Sequence, residues 1–489
     1  MDKSNNAPPV REPSLADAFI PLVALALLIG SSLALFGMEA LDGPIQAALI
    51  ICCMVAALIA MKNGHRWETV QKAGQAAMGS ITSAIFILLA VGALIGTWNL
   101  SGTIPTLVYY GIQFLSPTWY YVATAIICGL IAMSIGSSWT TAGTIGVGLV
   151  GIAAMLEVST AITAGAVISG AYLGDKNSPL SETTILAAQM VRVDIYTHIR
   201  NQMWTSVPAF LLAAVVFTLL GLGRVEAPGQ SDLQSAVELE ALNGIYRITI
   251  LNLLPLALLV WLSIRKYPAS ISLLLSALFA GVLGAFLQPQ VYAGFVGEDS
   301  GLSIVEAIKA TWLAMASGFS MESGIADVDQ LLSRGGMASM LFTLWLIMGA
   351  VTFGSLLDEF GLIHRLIDPL IDRAKTTGGL FLTVFASAFG LNIIAGDQYI
   401  ALVLPTRVYR AEFARRGLAP QNLSRLAADC GTVTSPLVPW NSCGAFMAAV
   451  LGVPTLVYLP FCIFNIASPI LSLLLGYTGF KVVRLDSPP

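Results

Sequence analysis

The chain has 489 residues, of which 56% are hydrophobic and only 11% are charged. A soluble domain carries about a quarter charged residues, so this composition excludes an ordinary soluble globular protein. The net charge of −4 gives no indication of nucleic-acid binding.

Apolar stretches of bilayer-spanning length recur from one end of the chain to the other. A helix needs about 17–25 apolar residues to cross a bilayer. The runs IPLVALALLIGSSLALF (20–36) and LFTLWLIMGAVTFGSLL (341–357) meet this requirement. The first run lacks a small-residue cleavage site and is followed at once by another, so it is not a removable signal. The sequence therefore predicts an all-α polytopic membrane protein.

About fourteen helical elements are predicted, and prolines and glycines predict that several of them are broken or re-entrant. Their predicted starts lie near residues 18, 43, 78, 118, 139, 160, 203, 246, 268, 338, 376, 397, 424 and 455. These starts divide the chain into a tail (1–16), a first repeat (17–222), an outer loop (223–245), a second repeat (246–477, with an outer insertion at 288–335) and a second tail (478–489).

Basic residues orient these elements, because cytoplasmic loops are enriched in lysine and arginine. A cytoplasmic N-terminus puts every basic cluster on the same side. The clusters are Lys62, Arg66 and Lys72; Lys176, Arg192 and Arg200; Arg265 and Lys266; Arg407, Arg410, Arg415 and Arg416; and Lys481 and Arg484. Both termini are therefore predicted to be cytoplasmic, with the lipid bilayer as the main environment of the chain.

Three short matches separated by 257 residues predict an internal repeat. Gly-Ala at 92–93 matches 349–350, Ser-Pro-Leu at 178–180 matches 435–437, and the polar stretch at 137–141 falls on 394–398. Seven elements in each half give the halves opposite orientations in the membrane. Inverted repeats of this kind are typical of secondary transporters, which bind substrate at the repeat interface.

The stretch TVTSPLVPW (432–440) predicts a broken helix at membrane depth. Pro436 and Pro439 each remove a backbone N–H group, which leaves carbonyl groups free. An irregular backbone survives there only when protein or a water-filled cavity covers it. Free carbonyls and neighbouring hydroxyl and amide side chains are hard oxygen ligands for Na⁺, by the reasoning applied to other hard cations. These side chains are Thr432, Thr434, Ser435 and Asn441. The alternative is a proline kink stabilised by serine and threonine side chains.

Several polar residues lie inside the apolar segments near these breaks. Acids within a membrane are costly and are candidates for function. The candidates are Asp175 and Ser178 in the first half, and Asn392, Asp397, Gln398 and Asp429 in the second half. For Asp175 the alternative is a cytoplasmic helix cap paired with Lys176. Asp358 and Glu359 are predicted to lie at a cytoplasmic helix end.

The run GSSWTTAGTIG (136–146) is rich in hydroxyl groups and glycine. One interpretation is a hydroxyl wall that faces Asp397 across the axis relating the halves. This wall would consist of Ser137, Ser138, Thr140 and Thr141. The alternative is close helix packing, which small residues permit.

The remaining polar residues are given structural interpretations. The three histidines fall in predicted cytoplasmic segments without ligand spacing, and His198 is interpreted as a solvated loop residue. The six cysteines are interpreted as small buried hydrophobic residues. The arginines are all interpreted as loop or helix-end residues, which favours a site for cations alone.

Long blocks of the chain resemble the NhaC-type Na⁺/H⁺ antiporter family, within the ion-transporter group built on inverted repeats. They include GDKNSPLSETTILAAQ (174–189), AGDQYIALVLPTRVYRAEFARRGL (395–418) and LSRLAADCGTVTSPLVPWNSCGAF (423–446). The resemblance covers about residues 80–475. It implies Na⁺ exit coupled to H⁺ uptake across a bacterial inner membrane, without a cofactor, and it suggests a homodimer. Residues in the shared blocks are carried over as the ion site: Asp175, Ser178, Asp397, Thr434, Ser435 and Asn441.

The mechanistic hypothesis is that buried aspartates bind Na⁺ and H⁺ competitively. The predicted Na⁺ ligands are Asp175, Asp397, Thr434, Ser435 and Asn441. The nearest alternative is an antiporter of organic acids such as malate and lactate, or of amino acids, because the resembled family includes such members. Remoter alternatives are an intramembrane aspartyl protease, which needs two acids that share a proton, and a channel. The expected protein is not an enzyme.

Overall fold

The structure is a computed structural model that describes residues 10–223, 230–297 and 302–485. Parts of both predicted tails and of both predicted outer segments lie outside these ranges. Within them, the regular secondary structure is helical, and two isolated β-bridges join Phe319 to Arg334 and Leu418 to Arg484.

Eleven α-helices lie within residues 10–223, the first range that the structure describes. They are α1 (Leu15–Phe36), α2 (Pro44–Lys62), α3 (Trp67–Ser80), α4 (Thr82–Leu100), α5 (Thr103–Phe114), α6 (Tyr120–Ile135), α7 (Ser138–Thr141), α8 (Val147–Met155), α9 (Thr160–Asn177), α10 (Glu182–Met190) and α11 (Ile195–Leu222). A π-helical turn, Ala142–Gly146, joins α7 to α8.

Fourteen α-helices follow. They are α12 (Gln230–Ile245), α13 (Leu254–Ile264), α14 (Ala269–Leu287), α15 (Pro289–Val296), α16 (Ile304–Ser317), α17 (Ala326–Leu332), α18 (Leu341–Glu359), α19 (Leu362–Arg373), α20 (Thr377–Ile394), α21 (Gln398–Arg415), α22 (Pro420–Ala427), α23 (Ser442–Leu451), α24 (Thr455–Tyr458) and α25 (Ile463–Thr478). A second π-helical turn, Ala428–Thr432, continues α22.

The helices confirm an all-α polytopic membrane protein. Among the described residues, nine helical segments are long and apolar enough to cross a membrane, or eleven if each of two sharply bent pairs counts as one span. The bent pairs turn by 86° at 245–250 and by 89° at 451–455. Broken helices, which the sequence predicted, are therefore part of the fold.

The predicted helix starts agree with the observed ones to within a few residues at most positions. The difference is largest at α13, which was predicted near 246 and begins at Leu254, and at α11, which was predicted near 203 and begins at Ile195. The first two turns of α11 are polar, so hydropathy does not detect them. Asp194 starts the helix by accepting hydrogen bonds from the backbone N–H groups of Tyr196 and Thr197 at 3.0 Å.

The segments predicted as outer loops contain helices. The segment 223–245 is helical over α12, and the insertion 288–335 carries α15, α16 and α17. The insertion also packs against α4. Asn99 on α4 donates to the carbonyls of Leu331 and Leu332 at 3.2 Å, and the N–H of Gly336 donates to the carbonyl of Gly92 at 2.7 Å. Small residues on α4 permit this close approach.

Helices from the two halves meet around the broken segments. In the first half α6 packs along α9, and in the second half α20 packs against α21 and α25. Helix α11 packs on α25, while α23 lies against α18 and the π-turn after α7. This arrangement brings the broken ends of both halves into the protein interior.

Candidate functional site

Four helix breaks form the centre of the candidate site, and a polar side chain caps the helix that follows each break. The caps are Ser137 before α7, Ser181 before α10, Asp397 before α21 and Asn441 before α23. Each accepts a hydrogen bond from a backbone N–H group in the first turn, which otherwise has no partner. Three of these four caps, Ser137, Asp397 and Asn441, are predicted site residues, whereas Ser181 is not.

The breaks repeat along the chain in the same order. Gly136 and Gly396 both adopt positive φ, +79° and +62°, just before the first cap of each half. These two glycines lie 260 residues apart, as do the caps Ser181 and Asn441, whereas the Ser-Pro-Leu motifs lie 257 residues apart. These glycines and caps are thus offset by 260 residues, three more than the 257 by which the polar stretches were aligned.

Asp175 lies where the two breaks of the first half meet. Its Oδ2 accepts hydrogen bonds from the Ser138 hydroxyl at 2.6 Å and the Ser138 backbone N–H at 3.2 Å, and its Oδ1 accepts one from the Ser181 hydroxyl at 2.5 Å. The residue is 7% exposed. The N-termini of α7 and α10 therefore converge on one buried carboxylate, an arrangement that stabilises negative charge.

Asp397 lies where the two breaks of the second half meet. Its Oδ1 accepts from the N–H groups of Tyr399 at 2.8 Å and Ile400 at 3.1 Å, and the Ser442 side chain faces the carboxylate. The Ser442 N–H donates to the Gly396 carbonyl at 2.8 Å. The N-termini of α21 and α23 thus meet at Asp397, so each half has one carboxylate at the junction of its two breaks.

The predicted hydroxyl wall contacts a different acid from the one expected. Ser138 binds Asp175 in its own half, not Asp397 across the axis. Ser137 and Thr140 bind each other at 3.0 Å, and Thr141 donates to the Ser137 carbonyl at 2.9 Å. The cause is local, since the break at Gly136 turns α7 toward the end of α9.

The break around Ser-Pro-Leu in the second half has side-chain partners for its carbonyls. Asn392 donates to the carbonyl of Gly431 at 2.6 Å, and Tyr458 donates to the carbonyl of Pro436 at 2.7 Å. Asn465 donates to the carbonyl of Val433 at 2.8 Å. These bonds resemble the predicted alternative of a stabilised kink, and they occupy carbonyls that the Na⁺ hypothesis assigns to the ion.

Three of the four side chains predicted as ligands along this segment are also hydrogen-bonded, whereas the Thr432 hydroxyl has no partner among the described residues. Thr434 donates to the Cys430 carbonyl at 2.5 Å and accepts from Asn392 at 3.0 Å. Ser435 donates to the Thr432 carbonyl at 2.7 Å. The Asn441 amide donates to Asn392 Oδ1 at 3.0 Å. The group is a continuous buried network.

Ser178 and Gln398 are two further predicted site residues, and they differ in their hydrogen bonding. The Ser178 hydroxyl donates to the Met133 carbonyl at 2.8 Å, so it ties the end of α9 to α6. Gln398 is 8% exposed, and its Oε1 has no hydrogen-bond partner among the described residues. This free oxygen directly follows the Asp397 cap.

The two halves touch through three side-chain contacts beside the carboxylates. Trp139 stacks on Phe446, with ring centroids 4.1 Å apart and planes inclined by 11°. The Tyr399 hydroxyl donates to Oε2 of Glu182 at 3.1 Å. The hydroxyl groups of Tyr172 and Ser435 lie 3.5 Å apart. The sequence analysis missed Trp139, Tyr399, Glu182 and Ser181. Ser181 was detectable as a helix cap, since a serine followed by an acid in the first turn is typical of a helix N-terminus.

Asp429 is a partner of Lys176 in the structure. The Lys176 ammonium forms an ion pair with Asp429, and the two side chains are 1% and 0% exposed. Lys176 was counted among the cytoplasmic loop charges and offered as a partner for Asp175, and both interpretations are wrong. A lysine can lie in the interior here because a carboxylate 253 residues away neutralises it.

The prediction of a solvated His198 is wrong, and Arg425, although it lies in the last turn of α22, is buried. His198 is fully buried, and its Nδ1 lies 2.8 Å from the Ser424 hydroxyl. Arg425 is also fully buried, and its NH1 donates to Asn201 Oδ1 at 2.7 Å. The surrounding helices α11 and α22 cover both side chains, which lie in segments read as loops or helix ends from polarity alone. The six cysteines are buried and free, as predicted.

Comparison with known proteins identifies relatives over nearly the whole chain. The model of the Na⁺/H⁺ antiporter family matches residues 14–188 and 170–480. The Na⁺/H⁺ antiporter NhaC of Alkalihalophilus pseudofirmus is 36% identical over 90% of this chain and 91% of its own length. The malate-2H⁺/Na⁺-lactate antiporter of Bacillus subtilis is 34% identical over 96% of both chains. The arginine/ornithine antiporter ArcD of Halobacterium salinarum is 33% identical over 98% of this chain and 95% of its own. All three relatives are named as transporters and not as enzymes.

Proposed function

The chain belongs to the Na⁺/H⁺ antiporter family, and we propose that it exchanges Na⁺ for H⁺ by alternating access. The observation that carries the proposal is the pair of buried carboxylates, Asp175 and Asp397, each at the junction of two broken helices. Secondary transporters bind their ions at such breaks near the membrane midplane. Na⁺ and H⁺ are substrates here and not resident cofactors.

Exchange of Na⁺ for H⁺ results when the two ions compete for the same carboxylate. An ionised carboxylate at membrane depth needs a neutralising partner, and either a proton or Na⁺ meets that need. In this proposal Asp397 binds a proton when it faces outside, releases it when it faces inside, and then binds Na⁺ for the return. Asp175 supplies a second carboxylate. Hydroxyl oxygens can donate or accept, so Ser138, Ser181 and Ser442 can rotate their lone pairs toward Na⁺.

The oxygen atoms nearest these carboxylates complete the proposed ion shell. The Gln398 side-chain oxygen has no partner among the described residues, so it is open to a cation. Thr434, Ser435 and Asn441 enter the shell only by giving up hydrogen bonds to Cys430, Thr432 and Asn392. We propose that these three residues shape the second break, while Asp397 and Gln398 contact the ion.

Alternating access in this proposal is a movement of one half against the other. The stack of Trp139 on Phe446 and the hydrogen bond between Tyr399 and Glu182 both cross the boundary between the halves. These contacts close the space beside the carboxylates on one side. We propose that they separate when the site opens to that side.

The positive-inside rule supports the proposed topology, and membership of the family supports the proposed location. We propose that residues 17–222 and 246–477 are the two inverted halves and that both termini lie in the cytoplasm of a bacterial cell, with the chain in the inner membrane. A homodimer is part of the proposal. Accessibility of single cysteines placed at residues 12 and 482, in a cysteine-free variant, tests the position of the termini.

Ion flux into sealed vesicles tests the proposed exchange. The purified protein is reconstituted in proteoliposomes that contain a pH-sensitive dye and carry an imposed proton gradient. Addition of Na⁺ should dissipate the gradient, whereas choline should not. Li⁺ and K⁺ define selectivity. A protein that leaves the gradient intact with Na⁺ at every pH between 6 and 9 does not perform this exchange.

A second candidate function is exchange of organic anions or amino acids, and a buried arginine favours it. Arg425 is fully buried, and its Nε and NH2 atoms have no hydrogen-bond partner among the described residues. A guanidinium group pairs with carboxylates in a bidentate geometry. The sequence analysis favoured a site for cations alone because every arginine was interpreted as a loop or helix-end residue. Arg425 is an arginine inside the protein that can bind an anionic substrate. Two relatives are named as antiporters of malate and lactate or of arginine and ornithine.

Uptake of labelled substrates separates the two candidates. Vesicles loaded with unlabelled malate, lactate, arginine or ornithine are mixed with the labelled compound outside. Counterflow of one of these compounds, lost in the Arg425→Gln variant, would establish the second function. Gradient dissipation by Na⁺ without any such counterflow would establish the first.

A further inference from the structure

The oxygen atoms around Lys176 form a closed shell for a cation. Besides the ion pair with Asp429, the Lys176 Nζ donates to Thr205 Oγ1 at 3.2 Å and to Ser468 Oγ at 3.1 Å. A lysine ammonium has three donor hydrogens, and here each finds one acceptor. All four side chains are buried.

The shell holds together through its own hydrogen bonds as well. Ser468 Oγ lies 2.6 Å from Asp429 Oδ1, and Thr205 Oγ1 lies 3.0 Å from Asp429 Oδ2. Asp429 belongs to the π-helical turn after α22, and π-turns often occur at functional sites. The hydroxyl groups of Ser468 and Thr205 therefore hold the Asp429 carboxylate from two sides, in addition to its contact with the ammonium.

The four side chains come from both halves of the chain. Lys176 lies near the end of α9 and Thr205 on α11, whereas Asp429 follows α22 and Ser468 lies on α25. A carboxylate and two hydroxyl groups are hard oxygen donors, the type that binds hard cations. The set has the chemistry of an alkali-metal site between the two halves, and a side chain of the protein supplies the cation.

We infer that Asp429, Thr205 and Ser468 form a cation-binding site that the Lys176 ammonium permanently occupies. The ammonium keeps Asp429 neutralised, and it keeps Na⁺ away from this carboxylate. Transported Na⁺ is thereby confined to the carboxylates at the helix breaks. Because a buried unpaired carboxylate is strongly destabilising, the site requires either a cation or a proton. Removal of the lysine side chain should let a free cation bind in its place.

Other charged and titratable groups also face the site. Arg425, Cys430 and His198 lie near the Lys176 ammonium, and the Phe464 ring lies 5.9 Å from it. Asp429 is the acid in direct contact with the ammonium, and nearby Arg425 is a second positive group. A cation that replaces Lys176 therefore binds close to Arg425, which favours a single positive charge over a divalent ion.

Thermal unfolding of the full-length protein in detergent tests this inference. Lys176→Ala is compared with wild type in NaCl, KCl and choline chloride at equal ionic strength. Na⁺ should raise the unfolding temperature of Lys176→Ala by several degrees more than that of wild type. The extra increase should disappear in Lys176→Ala/Asp429→Asn, because this variant lacks the negatively charged carboxylate that would bind Na⁺. Lys62→Ala is the matched control, because Lys62 pairs with Asp17 outside this site and is 63% exposed.

Each outcome decides the inference. An extra Na⁺ effect that is absent from wild type, from the double variant and from Lys62→Ala supports it. Equal Na⁺ effects in wild type and Lys176→Ala overturn it. If Lys176→Ala is not recovered, Lys176→Ser, which adds a hydroxyl ligand, is purified in NaCl and in choline chloride. Recovery of Lys176→Ser in NaCl alone supports the inference, whereas recovery in both without a Na⁺ effect, or in neither, overturns it.

Discussion

The hydroxyl of Tyr399 donates a hydrogen bond to Oε2 of Glu182 at 3.1 Å, across the boundary between the halves. Tyr399 lies two residues after Asp397, and Glu182 directly follows Ser181, which binds Asp175. One side-chain contact therefore joins the two carboxylate sites. Displacement of either half relative to the other must change this contact.

The first prediction concerns this contact. Tyr399→Phe and Glu182→Gln should each lower the rate of Na⁺/H⁺ exchange, and the double variant should lose no more than the more affected single variant. A hydrogen bond to a charged group is worth about 1.5–3 kcal/mol, and partial exposure reduces that value. A double-mutant cycle of initial rates in proteoliposomes measures the coupling. Additive losses would show that the bond does not act during exchange.

The second prediction concerns Asp397. Asp397→Asn should abolish Na⁺-dependent exchange and leave the protein folded, because asparagine caps a helix about as well as aspartate does. Asp194→Asn is the matched control. Asp194 also caps a helix by accepting two backbone N–H groups, but it is exposed. Gradient dissipation in proteoliposomes reports exchange, and the unfolding temperature reports folding. Wild-type exchange in Asp397→Asn would remove Asp397 from the mechanism.

The third prediction concerns the hydroxyl groups that bind Asp175. Ser138→Ala should raise the Na⁺ concentration for half-maximal exchange, because a charge-assisted bond of about 1.5–3 kcal/mol corresponds to roughly tenfold or more in affinity. Ser134→Ala should have no effect, since its exposed hydroxyl binds only the Leu130 carbonyl of its own helix. The Na⁺ dependence of exchange is measured for both. Equal half-saturation in the two variants would contradict a role for Ser138 in the ion shell.

The sequence predicted the spanning helices and the broken segments because both leave local signals. Long apolar runs mark α1, α2 and α18, and prolines and glycines mark the interruptions. The short helices of the insertion, such as α16 and α17, went undetected because they are too short and too polar for a hydropathy window. Local signals therefore determine which segments cross the bilayer but not how the connecting segments pack.

The partners of buried charges were not predictable by the same route. The positive-inside rule placed Lys176 in a cytoplasmic loop, and Arg425 was interpreted with the other arginines as a loop or helix-end residue. Lys176 is neutralised by Asp429, 253 residues away in the chain, whereas Arg425 donates a hydrogen bond to the uncharged amide of Asn201, 224 residues away. One signal was present, since Arg425 and Asp429 lie four residues apart on a helix and therefore on one face. Charges on one face of a helix with apolar neighbours indicate a buried network.

The last prediction concerns the glycines before the first cap of each half. Gly396 has φ +62°, and an added Cβ would lie 2.6 Å from the Cβ of Ala350. Gly136 has φ +79°, and its added Cβ would lie 2.7 Å from the backbone of Leu180. The left-handed conformation alone costs an L-residue about 1–2 kcal/mol, and the close contacts add to this.

Gly396→Ala and Gly136→Ala should therefore both lower the unfolding temperature, while Gly390→Ala should not. Gly390 lies within α20, where an added Cβ meets no atom within 4 Å. Alanine in a helix interior is favoured over glycine by up to about 1 kcal/mol, so Gly390→Ala should leave stability unchanged or raise it. Thermal unfolding in detergent measures all three. If Gly396→Ala and Gly136→Ala unfold at the wild-type temperature, the two equivalent breaks do not have the tight glycine turns that orient Asp397 and Ser137.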